Sequence, residues 1–394
     1  MVISGMKGPR PNGERISDKN GFWAASVCLI SVAHLHVYLA VGRHLPFAYE
    51  AVWLAVGVAS VISSYAAHRI APLRPVLGWM PLNAALHRCG ACWNVFVILA
   101  SCLLFASRAA PAVGRMPLDA RFALSCAVSF AVCVYGLVEG SVVRTVQAEI
   151  RTKKLPRGRR LRIAHLSDLH IGPFMFFSFA DRVARAVKSA SPDLVAITGD
   201  IVDGPVGDDA GIFPRYAPFA DKFGEMADAP LGAWAVPGNH DYYDGFGNSR
   251  DFMKRARIKL LRTEKADLGD IVLAGADDMD HKTWSETPRM TKSEELLESL
   301  TEAERGKFVV LMRHRPKIEA TTVGLFDLQL SGHTHGGQMF PLPSSRHRIP
   351  GRPRGLLALG RGAYLCVTNG AGFVGPPMRF FAPAEIVVID LIGE

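Results

Sequence analysis

Residues 166–179 read LSDLHIGPFMFFSF: Asp168 and His170 stand two apart, and Phe174, Phe176, Phe177 and Phe179 crowd in behind them. The run LRIAHLS just before is short and β-rich. In open α/β sheets, ligands gather beyond the carboxyl ends of strands, so an Asp and a His at a strand end mark a candidate site. The same arrangement recurs. Predicted strands at 161–167, 193–198, 232–236, 307–312 and 326–331 end in five polar tags. These are Asp168-Leu-His170; Gly199-Asp200-Ile-Val-Asp203; Pro237-Gly238-Asn239-His240-Asp241; Arg313-His314-Arg315-Pro316; and Gly332-His333-Thr334-His335-Gly336-Gly337-Gln338. Five of the 13 His in the chain fall in these tags, too many for turns and satisfied core histidines alone.

Helix-like stretches such as 180–190 and 293–305 separate several strands, which argues an α/β layered fold. The late runs AYLCVT and EIVVIDL have no helix between them and point to a second sheet packed on the first.

Carboxylate and amide oxygens mixed with neutral imidazoles suit Mn²⁺, Fe²⁺ or Zn²⁺, and the lack of thiols in the tags argues against a structural zinc site. Two divalent ions sharing a carboxylate would acidify a water and neutralise charge on phosphoryl oxygens. A His outside the ligand set would give the leaving alkoxide its proton.

Taken together, D-x-H, G-D-x-x-D, G-N-H-D, a lone His and G-H-T-H resemble the calcineurin-like metallophosphoesterases. SDLHIG, GNHDYY, SGHTHGGQ and the late PMRFFAPAEIVVIDL resemble the YkuE/YaeI-like branch. The resemblance covers about 161–394 and implies a four-layer α-β-β-α sandwich. It implies that Asp168, His170 and His335 bind one metal, that Asp200 bridges, and that Asn239, His314 and His333 bind the second. It makes His240 the general acid, held by Asp241. Two ions per chain are expected, Mn²⁺ first. Asp203 is expected to be a turn residue or a support for the ligands. Arg313 and Arg315 either grip a phosphate or are ordinary surface charges. Where the branch usually shows S-R-G, this chain has Val367-Thr368-Asn369-Gly370-Ala371-Gly372, which bears on the substrate and leaves the metal centre intact.

The first 145 residues differ in kind. The chain of 394 residues is 49% hydrophobic, with long apolar stretches at 22–42, 48–67, 93–110 and 122–143, each near the ~20 residues a spanning helix needs. A tail (1–20), a four-span membrane domain (21–145), a basic linker (146–160) and a catalytic domain (161–394) are expected. The formal charge is +9. Basic residues flank the first span on its outer end (Lys7, Arg10, Arg15, Lys19), sit between spans two and three, and follow the fourth from Arg144 to Arg162. Few lie on the other side (Arg43, Arg108, Arg115, Arg121). By the positive-inside rule both ends are cytoplasmic, giving a multi-pass protein of a bacterial-type inner membrane. Six of seven Cys lie before residue 134, so no disulfide framework is indicated. The Cys89-Gly-Ala-Cys92 pair reads as packing at a helix end.

The expected function is hydrolysis of a phosphodiester or pyrophosphate bond in a lipid-linked substrate, for which UDP-2,3-diacylglucosamine of lipid A synthesis is a candidate. The bilayer is the expected partner, and nucleic acid is disfavoured because the basic residues cluster at the membrane side. Alternatives are a phosphodiesterase for soluble nucleotides and a scaffolding domain on a membrane sensor. The Phe run is either core or a lip, with Phe174 and Phe176 as its substrate-facing residues. Oligomeric state is not legible.

Overall fold

In the computed structural model, residues 19–41, 55–58, 81–172, 174–204, 207–208, 211–212, 216–243, 246–278, 293–339 and 354–394 are described. The chain divides into two compact units, Met1–Arg74 with Cys89–Ala131, and Pro75–Arg88 with Val132–Glu394.

In the larger unit, alternation along one strand sets the layering. Strand β2 (Arg160–Leu166) turns Leu161 and Ile163 toward one core and Ala164 and Leu166 toward another, all fully buried. Only a strand covered on both faces carries such a run. Among the described residues the strands are, in chain order, β1 (Val143–Thr152), β2, β3 (Leu194–Thr198), β4 (Gly207–Asp208), β5 (Gly211–Ile212), β6 (Ala233–Val236), β7 (Lys259–Leu260), β8 (Glu264–Asp267), β9 (Ile271–Ala276), β10 (Phe308–Arg313), β11 (Leu328–Ser331), β12 (Gly355–Gly360), β13 (Ala363–Val367) and β14 (Ala384–Gly393). One six-stranded sheet runs β1-β14-β2-β3-β6-β7 and a second runs β12-β13-β11-β10-β9-β8, with β4-β5 a small hairpin.

The sheets share a core of Leu161, Ile163, Leu273, Val310, Leu330 and Ile389. Outside the first sheet lie helices whose Phe179, Val183, Phe223 and Phe252 pack on β2, β3 and β14. Outside the second lies the segment carrying Leu296, Leu297 and Leu300, packed on Val272, Val309 and Leu311. The expected order of layers, helix–sheet–sheet–helix, is therefore present. Strands β2, β3 and β6 are mutually parallel, as are β9, β10, β11 and β13. Parallel pairing brings the tagged carboxyl ends to one edge of each sheet.

Residues 146–152, expected to belong to a linker, are part of a strand, and 153–159 form the turn into β2. Helix α3 (Leu118–Ser141) is followed almost at once by β1, which pairs in parallel with the whole of β14, from Val143 opposite Ala384 to Thr152 opposite Gly393. Of the basic residues that suggest a solvated tether, Arg144 and Arg151 are exposed on this edge strand and Lys153, Lys154, Arg157 and Arg159 are exposed in the turn, while Ile150 and Leu155 are buried in the inter-sheet core. Arg144 pairs with Glu139 at 2.9 Å and Arg151 with Glu149 at 2.7 Å.

Four spans are expected; among the described residues two helices are long and apolar enough to cross a membrane, Arg88–Ala106 and Leu118–Ser141. The first lies within α2 (Pro81–Ala106) and the second is α3. The expected span 22–42 falls on helix α1 (Lys19–Val41), whose apolar part with described side chains, Cys28–Ala40, is shorter than a span. The expected span 48–67 lies outside the described residues apart from 55–58, which are helical. Among the described residues, then, two helices have span length and composition. In the smaller unit, polar groups on apolar helices find partners on neighbouring helices. Trp93 Nε1 donates to His34 Nε2 at 3.1 Å, and His36 Nδ1 meets Ser101 Oγ at 2.8 Å. None of the cysteines, Cys89 and Cys92 included, is in a disulfide among the described residues.

Candidate metal centre

Five non-glycine residues of the tags have a left-handed backbone: Asp168 (φ 56°), His170 (47°), Asp200 (53°), His333 (66°) and His335 (50°). Positive φ costs a residue with a Cβ of order 1–3 kcal/mol and clusters at functional sites. Here the chain leaves β2, β3 and β11 through that region and turns ligand-type side chains toward one point. Neighbouring glycines permit the crowding. A Cβ at Gly238 would sit 2.3 Å from Asp200 Oδ1, and one at Gly332 would sit 2.2 Å from Asp168 Oδ2.

The side chains converge in three overlapping groups, Asp168–His170–His335, His170–Asp200–His240 and Asp200–His314–His333, with the candidate ligand atoms of each within 4.8 Å of one another. Asp168 Oδ1 is 3.1 Å from His335 Nε2, which is 3.1 Å from His170 Nε2. Asp200 Oδ2 is 3.7 Å from His170 Nε2 and 3.1 Å from His314 Nε2, and His314 Nε2 is 3.1 Å from His333 Nδ1. Asp200 is thus the one carboxylate common to two groups.

The donor set fits divalent ions. His314 Nδ1 faces the Thr198 carbonyl at 2.8 Å, an orientation that leaves Nε2 as the ligand atom. Asn239 Oδ1 is buried without a hydrogen-bond partner, while its Nδ2 donates to the Tyr243 hydroxyl at 2.9 Å. A buried amide oxygen left unpaired is costly, and coordination to a cation accounts for it. Burial, first, holds His335 down at about 4 and, joined by the charge of His314, holds His333 down at about 2. Both rings are therefore neutral, the form that ligates. His314 goes the other way: burial pushes it down, but the Asp200 carboxylate outweighs this and raises it to about 10. A proton and a cation therefore compete at that pair.

His240 lies beside this group, its ring centroid 4.6 Å from that of His170. Its backbone N–H donates to Asp200 Oδ1 at 2.8 Å, and its Nδ1 meets Asp203 Oδ1 at 3.0 Å. Burial lowers its affinity for a proton, yet Asp203 and Asp200 outweigh burial and raise it to about 9.

The expectation that Asp241 holds His240 is corrected. Asp241 accepts from the backbone N–H groups of Ile201, Val202 and Gly238 and from Ser249 Oγ, all at 2.9–3.0 Å. It lies in the short helix His240–Tyr243, and its side chain turns to the backbone that follows Asp200. Asp203, read as a turn or support residue, is the partner of His240, and its other oxygen is 3.4 Å from His170 Nδ1. Spacing alone does not separate these two carboxylates, since both follow a ligand within three residues.

Arg313 turns to Glu319 at 2.7 Å and to the Lys317 carbonyl. Arg315 is bound by Asp278 at 3.0 Å, and its charge adds to burial and His314 in holding His333 neutral. Asp277 and Asp278 close strand β9 and are buried. Lacking His or Asn, that strand end gave no signal. Of the Phe run, Phe179 is core, Phe174 is half-buried, and Phe176 and Phe177 are exposed. Arg88 lies 4.1 Å over the Phe176 ring.

A family model described as calcineurin-like phosphoesterase matches residues 161–337. The chain is 36% identical over 262 residues to an uncharacterized metallophosphoesterase of Aquifex aeolicus, covering 66% of this chain and 96% of that one. It is 30% identical to a transmembrane protein with metallophosphoesterase domain of Danio rerio, covering 68% and 62%. It is 27% identical to the uncharacterized metallophosphoesterase YkuE of Bacillus subtilis, covering 64% and 87%.

Proposed function

Since the chain belongs to the calcineurin-like metallophosphoesterases, we propose that it is a membrane-anchored hydrolase that uses two divalent ions to cleave a phosphodiester or pyrophosphate bond in a lipid-linked substrate. The observation that carries the reading is Asp200, whose carboxylate is shared by two ligand groups. Asp168, His170 and His335 would hold one ion. Asn239, His314 and His333 would hold the other, with Asp200 between them. The ions would be Mn²⁺ first, with Fe²⁺ and Zn²⁺ compatible with the same donors. When bound, they supply Lewis acidity at the phosphoryl oxygens and an acidified water.

The remaining work falls to the chain's own residues. His240 carries a proton at neutral pH and gives it to the leaving oxygen as the P–O bond breaks and the bond from water oxygen to phosphorus forms. Asp203 holds the ring at Nδ1, so that Nε2 is the atom that serves the substrate. Arg315, fixed by Asp278, offers a guanidinium to a non-bridging phosphate oxygen. Two helices of span length support a membrane setting, as does the name of the Danio rerio relative. The basic residues around the spans favour a cytoplasmic catalytic domain in an inner membrane.

The test is hydrolysis of bis(para-nitrophenyl) phosphate by the detergent-solubilised chain with Mn²⁺, beside UMP release from UDP-2,3-diacylglucosamine. The reading predicts both activities, and loss of both in Asp200→Asn. Cleavage of the aryl diester alone would keep the phosphoesterase and discard this lipid substrate. Neither activity would discard both.

A further inference from the structure

The segment 374–381 lies along the last two turns of α3. Gly136 and Gly140, one turn apart, form a slot for it. A Cβ at Gly136 would lie 2.6 Å from the Phe380 ring, and one at Gly140 would lie 2.7 Å from the Pro377 carbonyl oxygen. The Arg379 N–H donates to the Gly136 carbonyl at 2.9 Å. In membrane helices, small residues four apart let another segment approach closely; here the approaching segment belongs to the catalytic domain.

The same segment is tied to the metal centre. Gln338, three residues after His335, donates from its side chain to the carbonyls of Val374 and Met378 at 3.2 and 3.1 Å. Its own carbonyl accepts from the Phe380 N–H at 2.8 Å. The Arg379 guanidinium is fully buried and donates to the carbonyls of Asn369, Gly370, Gly372 and Ala382. Gly370 in turn approaches Asp168 so closely that a Cβ there would lie 2.7 Å from the Asp168 Cβ.

Phe381 breaks the pattern of burial. Its backbone is left-handed at φ 56°, its side chain is 59% exposed, and its ring lies 5.5 Å from that of Tyr135. A bulky aromatic held outward in a costly conformation calls for an environment that rewards it. Val134, Leu137 and Val138 of α3 are also exposed. Tyr135 lies six residues before the end of α3, or ~9 Å along the axis at helical rise.

We propose that residues 374–381 form an interfacial strap that enters the bilayer beside α3, with Phe381 among the lipids, and so seats the rim of the metal centre on the membrane surface. The inference rests on α3 crossing the membrane and needs no assumption about the substrate. An aromatic ring at the headgroup level is at home there. The strap's covered face binds the catalytic domain, and only its outer face meets lipid.

The experiment places para-fluorophenylalanine at position 381 of the full chain in lipid nanodiscs, with a second sample labelled at position 135. Fluorine NMR then compares broadening by a doxyl-labelled lipid with broadening by a water-soluble gadolinium chelate. The proposal predicts loss of the 381 signal with the lipid nitroxide and its survival with the chelate, as at 135. Broadening of the 381 signal by the chelate equal to or greater than that by the lipid overturns it, whichever agent reaches 135. Since no turnover is measured, failure here is distinct from failure of the phosphoesterase reading.

Discussion

Asp203 stands between two imidazoles, one oxygen 3.0 Å from His240 Nδ1 and the other 3.4 Å from His170 Nδ1. It therefore supports both the proton donor and a metal ligand. Asp203→Ala is expected to lower turnover by about 10²–10³-fold, within the range for losing a general acid. It should also weaken metal binding by about 10–100-fold, as loss of a carboxylate behind a ligand histidine does. Both are read by steady-state kinetics and metal titration. Asp241→Ala should behave differently. Its buried carboxylate answers three backbone N–H groups and a hydroxyl, so the change orphans several donors at about 1–3 kcal/mol each. A fall in melting temperature larger than that of Asp203→Ala would show it. The sequence showed two Asp residues close behind ligands, and only the path of the loop decides which one reaches His240. The ligands themselves were legible, because each tag pairs a metal-binding side chain with a strand end and, in three tags, with a glycine that tolerates the crowding. Asp277 and Asp278 were hidden, since two acidic residues after a strand carry no chemistry until Tyr242 and Arg262 close on one and Arg315 on the other.

At the scale of elements, β1 changes how the chain is understood. As a tether, residues 146–152 would tolerate any substitution. As an edge strand they would not, because Ile150 is 2% exposed within the inter-sheet core. Ile150→Ala is expected to cost about 2–4 kcal/mol, the usual range for emptying a buried aliphatic site, measured by chemical denaturation of the catalytic unit in detergent. A change no larger than that of an exposed neighbour such as Glu149→Ala would return the segment to a tether. The strand was obscured by its composition. Val146, Ala148 and Ile150 alternate with polar residues as in a half-buried edge strand, but the stretch is short and runs into the basic turn of Lys153, Lys154, Arg157 and Arg159, whose charge reads as a tether. The tagged strands suffered no such masking: buried on both faces, they read as continuous apolar runs, and their ends fell within about two residues of those expected. The helices before residue 142 were legible as apolar, and two of them, Arg88–Ala106 and Leu118–Ser141, have span length and composition among the described residues.

At the scale of the molecule, the last strand closes the fold through charge as well as packing. Asp390 on β14 meets Arg160 at 2.5 Å and Arg162 at 2.8 Å. Burial pushes its carboxyl up, but the bonds to Arg160 and Arg162 outweigh this and hold it at about 2. A carboxyl depressed in the folded state stabilises fully above its unfolded value, near pH 4, and that contribution disappears as pH falls through its folded value. Asp390→Asn should therefore cost about 1–2 kcal/mol near neutrality, discounted for the exposure of Arg160. The gap between it and the natural chain should close as pH falls from about 4 toward 2, which denaturation across that range would show; a constant gap would contradict the assignment.

The whole account turns on Asp200 serving two cations, and metal stoichiometry tests that most directly. The purified full chain, loaded with Mn²⁺ and freed of excess ion, is analysed by inductively coupled plasma mass spectrometry beside Asp200→Asn. Two ions per natural chain, with loss of at least one in the variant, is the predicted result. One ion or none in the natural chain, or two retained without Asp200, would contradict the shared centre.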